Sequence, residues 1–444
     1  MKKKFVVFLG VIGLFGMMPF MVNAEDLTSN LTLSSNTNAC YTVKSGSNVT
    51  LNLAGYTLTN DGDCNTLTIE KGATLTITGN GTVDNVNHGK AAVFNNGTTT
   101  IENGTFTRSK SVYPGNTYYV ILNHGTMTIK NADVSNNKVT EGGSLIANGY
   151  FHYSDYSANL NEAHPTLTIE NGTYSGGNAT IKNDDGGKVI IKGGTFKDGL
   201  VALQNVDDAE ISGGSFSSVG EAKNPGPYLI VNSGGSNDDN ESGSLKITGG
   251  TFDQGTNSSL IGGSSAQEAS NVTISSGTFN GILMTEDENT TATLAVSGGT
   301  FKASTTDGDE INKKVVEKNK VQGAQELVAD DGTVYLGYKV TIHYVDSNGK
   351  TIATDTVNYY NANEAYQTTP ISISGYTKAS VKGNETGKSA YDNVEVTYVY
   401  NKNTMFREST IENPNTLDNI GLFFAIATIS LFGIGVTFNK LRKD

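Results

Sequence analysis

The chain has 444 residues, of which 36% are hydrophobic and 17% charged, with 52 Gly, 7 Pro, 2 Cys and no Trp. Abundant Gly among Thr, Ser, Asn and β-branched residues excludes a helical protein, and regularly placed Ile, Val, Leu and Phe exclude a disordered one. A formal net charge of −13 repels phosphate backbones and excludes a nucleic-acid partner.

Residues 1–24, "MKKKFVVFLGVIGLFGMMPFMVNA", run from lysines through an apolar stretch to small residues, the order of a secretory signal peptide. Cleavage is expected between Ala24 and Glu25. Losing Lys2, Lys3 and Lys4 makes the exported chain three units more negative.

Residues 25–305 repeat one phrase: "TTIENGTF" at 99–106, "LTIENGTY" at 167–174, "VIIKGGTF" at 189–196, "LKITGGTF" at 245–252 and "LAVSGGTF" at 294–301. The base period is about 22 residues, the signature of a solenoid. Leu245 and Ile247 alternate with polar residues, as on a strand with one face inward. Gly249-Gly250 then permits a sharp corner, and Phe252 resumes the extended chain. A second apolar strand precedes each phrase, as in "AAVFNNG" and "YVILNHG". Strands at this spacing leave no room for a helix and predict a parallel β-helix, right-handed by the crossover rule. It should hold about a dozen coils stacked over about 60 Å. The openings "VTLNLAGYTLTN" and "LTIEKGATLTITGNGTVDN" resemble pectin-lyase-like β-helix proteins of bacterial surfaces, and the resemblance implies that fold. Insertions at "HYSDYSANLNEAHP" and "NSGGSNDDNESGS" are expected to leave the rod as loops.

Cys40 and Cys64 stand one repeat apart in the exported part, either as a disulfide between adjacent coils or as two buried thiols. Catalysis on such a rod needs converging carboxylates with a basic partner. Arg108 is the only Arg of the rod. The pairs Asp184-Asp185, Asp207-Asp208 and Asp238-Asp239 read as turn residues, and His88 and His124 lack zinc-ligand spacing. The expectation is therefore no enzyme, no metal and no cofactor.

Residues 306–337 read as a cap or linker, with a short helix around 311–327. From 338 to 401 the pattern changes to an alternating strand "VTIHYV", a "DSNGK" turn and a closing strand "VEVTYVY". With "EAYQTTP" and "SGYTKASVKGNETG", these segments resemble the MucBP (mucin-binding protein) domain of Gram-positive surface proteins. The resemblance implies a β-grasp-like fold and contact with mucin or other glycans. Tyr359, Tyr360 and Tyr366 read either as platforms for sugar rings or as half-buried strand and loop aromatics.

Residues 402–418 form a linker holding "ENPNTLDN". Residues 419–439 are expected to be a transmembrane helix, since the uncharged run Ile420 to Phe438 would span about 28 Å. The basic tail 440–444 would then stay in the cytoplasm. This layout resembles the sorting signals of Gram-positive wall-anchored proteins. Pro414 and Thr416 match their motif, while Asn413 and Leu417 stand where such signals carry Leu and Gly. The resemblance implies sortase as a partner and cleavage between Thr416 and Leu417; a membrane anchor that keeps its helix is the alternative. The whole reads as an all-β surface adhesin contacting host mucin or glycans, with a polysaccharide-degrading enzyme and a passive stalk as the other readings.

Overall fold

The computed structural model describes residues 24–150, 164–220, 226–233, 243–263, 271–285 and 293–403. The signal peptide apart from Ala24, most of both long insertions, Asp238-Asp239, the motif at Pro414, Thr416 and Leu417, the expected membrane helix and the basic tail lie outside the described residues. Among the described residues no helix is long and apolar enough to cross a membrane.

Three short strands make most coils of a parallel β solenoid, the last two merging into one in Ser244–Asp253 and Val272–Asn280. In one coil these are Val93–Asn95, Thr98–Ile101 and Thr105–Thr107. Each pairs in parallel and in register with its equivalents one coil away, so Val93 sits between Leu67 and Ile121, and Phe106 between Val83 and Val134. The first strands stack into a ten-stranded sheet from Glu25–Leu27 to Ser259–Gly262. Ten strands are nine spacings apart, and one further coil, Leu294–Val296 with Gly299–Lys302, continues the other two columns, which gives about 48 Å of rod. That is shorter than a count from the base period, because the insertions lengthen several coils without adding new ones.

Alternation decides what fills the rod. The strand Thr74–Thr78 buries Leu75 and Ile77 and turns its threonines outward. The phrase-ending aromatics Tyr174, Phe196, Phe216, Phe252, Phe279 and Phe301 stack with centroids 4.7–4.9 Å apart and planes within 11°. Each ring thus covers its neighbour's face, a gain of about 0.5–1.5 kcal/mol per pair beyond burial. The corner before each ring requires glycine. Gly250 has φ +106°, and a Cβ on Gly249 would lie 2.4 Å from the Ser212 carbonyl.

At the other corner runs a polar ladder. Asn95, Asn123, Asn148, Asn183, Asn205 and Asn232 are fully buried, and each amide nitrogen up to Asn205 donates to the next residue's side-chain oxygen at 2.7–2.8 Å. The same amides donate to turn carbonyls such as Gly125 O and Gly187 O. Near the N-terminal end Cys40 and Cys64 are joined by a disulfide, with Cα atoms 6.5 Å apart, on coils whose strands Tyr41–Val43 and Leu67–Ile69 are paired.

The C-terminal end is closed by a helix, Thr306–Asn319. It begins before the expected stretch because Thr305 caps it, accepting from Gly308 N, with Asp307 and Asp309 in the first turn. Val315 and Val316 enter the rod core. Buried Asn312 accepts from Leu283 N and donates to Gly281 O, taking the place of one more coil.

Thirteen residues, Val334–Asp346, form one strand common to the rod and the domain after it. Its start pairs antiparallel with Gly299–Phe301 and with Glu326–Val328. Beyond Gly337 it lies between the antiparallel strand Thr351–Asn361 and the parallel strand Val394–Lys402, and Tyr376–Lys382 completes the sheet. This domain has its own core of Tyr338, Val340, Ile342, Tyr344, Val396 and Tyr398.

Candidate functional site

Catalytic chemistry requires groups that converge, and among the described residues the acid pairs of the rod are held apart, each tied to its own partner. Asp184 is held in an ion pair with Lys182 at 2.6 Å, both side chains nearly buried. Asp208 accepts from Ser244 Oγ at 2.6 Å, on a different strand column. Arg108 is fully buried, where its guanidinium donates to Asn87 O and to Asn116 Oδ1. Burial lowers its pKa to about 10, with Asp84 and Tyr118 opposing the shift. Its hydrogen bonds hold the segment Ser109–Thr117 against the rod. His124 is stacked on Tyr150 at 4.4 Å and meets the edge of Phe94, and His88 is exposed in a turn. Among the described residues no cluster of three His, Cys, Asp or Glu side chains could hold a metal ion.

The C-terminal domain uses its tyrosines as tethers. Tyr366 is buried and its hydroxyl donates to Asn384 O at 3.1 Å. Tyr360 stacks on Tyr338 at 5.5 Å, and Tyr359 on Tyr335 at 5.2 Å. Of the two readings of Tyr359, Tyr360 and Tyr366, the structure favours half-buried strand and loop aromatics. Tyr398 and Tyr400 likewise carry hydroxyls to Thr368 and to Ile371 O. The alternation of "VTIHYV" and "VEVTYVY" turns these rings into one core. At the "DSNGK" turn, Asp346 accepts from Asn348 N and Lys350 N, both at 2.9 Å.

Among the described residues, hollows border this domain in two places. One, of about 530 Å³, lies over the ribbon of Ala365–Gln367 and Thr386–Lys388. The other, of about 400 Å³, lies between the rod and the domain. Its rod wall is Gly249, Gly250, Gly277 and Thr278, and its domain wall is the turn 361–364. Sequence reasoning missed this place, since its walls lie some 85 to 115 residues apart and no local pattern joins them.

Comparison with known proteins agrees with this division. Residues 339–401 match the model of the MucBP domain. Internalin J of Listeria monocytogenes serotype 4b (strain F2365) is 34% identical over 105 residues, which is 24% of this chain and 11% of that protein. Internalin J of Listeria monocytogenes serovar 1/2a (strain ATCC BAA-679 / EGD-e) is 32% identical over 108 residues, or 24% and 12%. The chain thus spans only about an eighth of the length of these relatives. It carries a MucBP domain on the end of a repetitive parallel β structure.

Proposed function

We propose that this chain is a non-catalytic cell-surface adhesin that contacts host mucin or another glycan through its MucBP domain. The observation that carries the proposal is the MucBP match over 339–401. The similarity to Internalin J supports it. In this reading the signal peptide is removed after Ala24 and the right-handed rod serves as a stiff body outside the cell. The parallel pairing of Val334–Asp346 with Val394–Lys402 supports a β-grasp-like fold for the MucBP domain. The apolar segment 419–439 then holds the chain in the membrane, or sortase joins Thr416 to the wall.

Purified protein from Glu25 to residue 410, presented with mucin and a broad glycan array, is expected to bind mucin and a subset of glycans. A blank array, together with unchanged adherence of cells that lack the protein, would rule the adhesin out. Release of reducing or unsaturated sugars from polyuronates would instead identify an enzyme. Mass spectrometry of wall fractions decides between the anchors by finding, or not finding, a C-terminus at Thr416.

A further inference from the structure

The groove between rod and domain is fixed on both sides by backbone and hydrogen bonds. It is an open, mainly polar groove of about 400 Å³ at the junction of two bodies, the kind of place where ligand sites are favoured. On the rod side Gly250 and Gly277 have φ +106° and +130°, so neither position takes a side chain without strain. That leaves backbone as the floor, with the exposed Thr278 rising beside it.

The opposite wall is held in place before any ligand arrives. Asn361 Oδ1 accepts from Gly299 N at 3.1 Å and from Thr300 Oγ1 at 3.3 Å, which closes the back of the cavity against the rod. Glu364 Oε2 accepts from Asn361 N at 2.9 Å, Asn363 N donates to Ser389 O at 2.7 Å, and Tyr338 donates to Glu364 O. Tyr391 ties the domain to Ser297 O at 2.8 Å. A turn fixed at this many points loses little freedom on binding, and that favours affinity.

The chemistry of the lining narrows the ligand. Among the described residues no Lys, Arg or His lines the cavity, and Glu364 adds a negative charge to an already acidic chain. An anionic ligand would meet repulsion without a partner. What the walls offer is neutral hydrogen bonding from the Thr278 hydroxyl and the Asn363 amide, with the Glu364 carboxylate as an acceptor for hydroxyl donors. From this we propose that the cavity binds a short neutral saccharide, held between the rod and the MucBP domain. The proposal rests on the glycan reading above and places its ligand at the junction.

The test titrates the full-length chain with N-acetyllactosamine and with its sialylated form, read by saturation-transfer NMR, with mucin retention measured alongside. Thr278→Trp fills the cavity from an exposed position, and Asn363→Gly removes the amide while tolerating the residue's positive φ. Thr278→Ser and thermal melts control for folding. Wild type is expected to bind the neutral sugar, with affinity falling about tenfold in Thr278→Trp and several-fold in Asn363→Gly. Mucin retention should fall in parallel. If both variants bind sugar and mucin as wild type does, the junction site is overturned while the adhesin reading stands. Equal binding of the sialylated sugar overturns the neutral selectivity. A wild type that retains mucin but binds neither sugar overturns the saccharide site, and one that binds neither mucin nor sugar overturns both readings.

Discussion

Asn183 accepts from Asn148 at 2.8 Å and donates to Asn205 Oδ1, Gly187 O and Asp208 O, with no exposure to solvent. One side chain thereby satisfies backbone at a corner where parallel strands leave carbonyls unpaired, and links three coils. Replacing it by Ala should cost about 1–3 kcal/mol for each buried group left without a partner. In a solenoid that loss stays with the nearest coils. Hydrogen exchange should therefore quicken in the strands Ile146–Asn148 and Val201–Asn205 and stay unchanged near Leu67; uniform exchange along the rod would refute the ladder's local role. The aromatic ladder was legible in the sequence, because Phe or Tyr ends the same phrase each time. The Asn ladder was visible only as the last letters of "AAVFN" and "YVILN". An Asn before Gly or a polar residue reads as a turn former, and nothing local distinguishes that role from a buried amide.

Among the elements, the capping helix shows how a boundary is set. Charge and helix propensity suggested a stretch around 311–327, yet Thr305 starts the helix and Lys320 leaves it in extended conformation. Its last turn faces the strand Glu326–Val328, and there two carboxyl groups meet. Burial first, then the hydrogen bond and charge of Glu317, push Glu326 up to about 7. Hydrogen bonds from Lys320 and Glu326 hold Glu317 below its ordinary value. A carboxyl raised on folding favours the protonated native state, so its stabilising effect is complete below the ordinary carboxylate value and is lost as pH rises through about 7. Glu317 acts in the opposite sense, at lower pH, as the medium falls through its own range. Between about pH 5 and 8 the cap should therefore weaken with rising pH, seen as lower protection of the amides of Thr306–Asn319 once the base-catalysed intrinsic rate is divided out. Glu326→Gln should flatten that dependence; an equally steep profile in the variant would assign it to another group.

For the whole molecule, the sequence marked two bodies and a segment between them, and the structure adds that one strand serves both. Gly337 stands at the crossing, where a Cβ would come 2.0 Å from the Tyr360 carbonyl. Together with the bonds of Asn361 and Tyr391 to the rod, this predicts a fixed angle between rod and domain. Spin labels at Lys246→Cys and Lys382→Cys, both exposed positions, should report one narrow distance in the parent protein and a broader one in Gly337→Ala. A broad distribution in the parent would mean a free hinge. The composition change near residue 338 was readable because each body has its own alternation, but the shared pairing joins residues far apart in sequence and leaves no local trace.

The strand Val334–Asp346 also limits how the gene could be recombined. MucBP domains look like beads that can be cut and pasted, and the obvious splice point here is where the family match begins, at residue 339. A splice there would divide the strand. The donor would keep a rod whose last edge, Gly299–Phe301, had lost the continuation of its pairing partner, and the graft would begin without the residues that seat it. Exchange that preserves folding must carry the cap and the domain together, from the end of the last coil onward, so the unit of inheritance is larger than the domain that sequence comparison outlines.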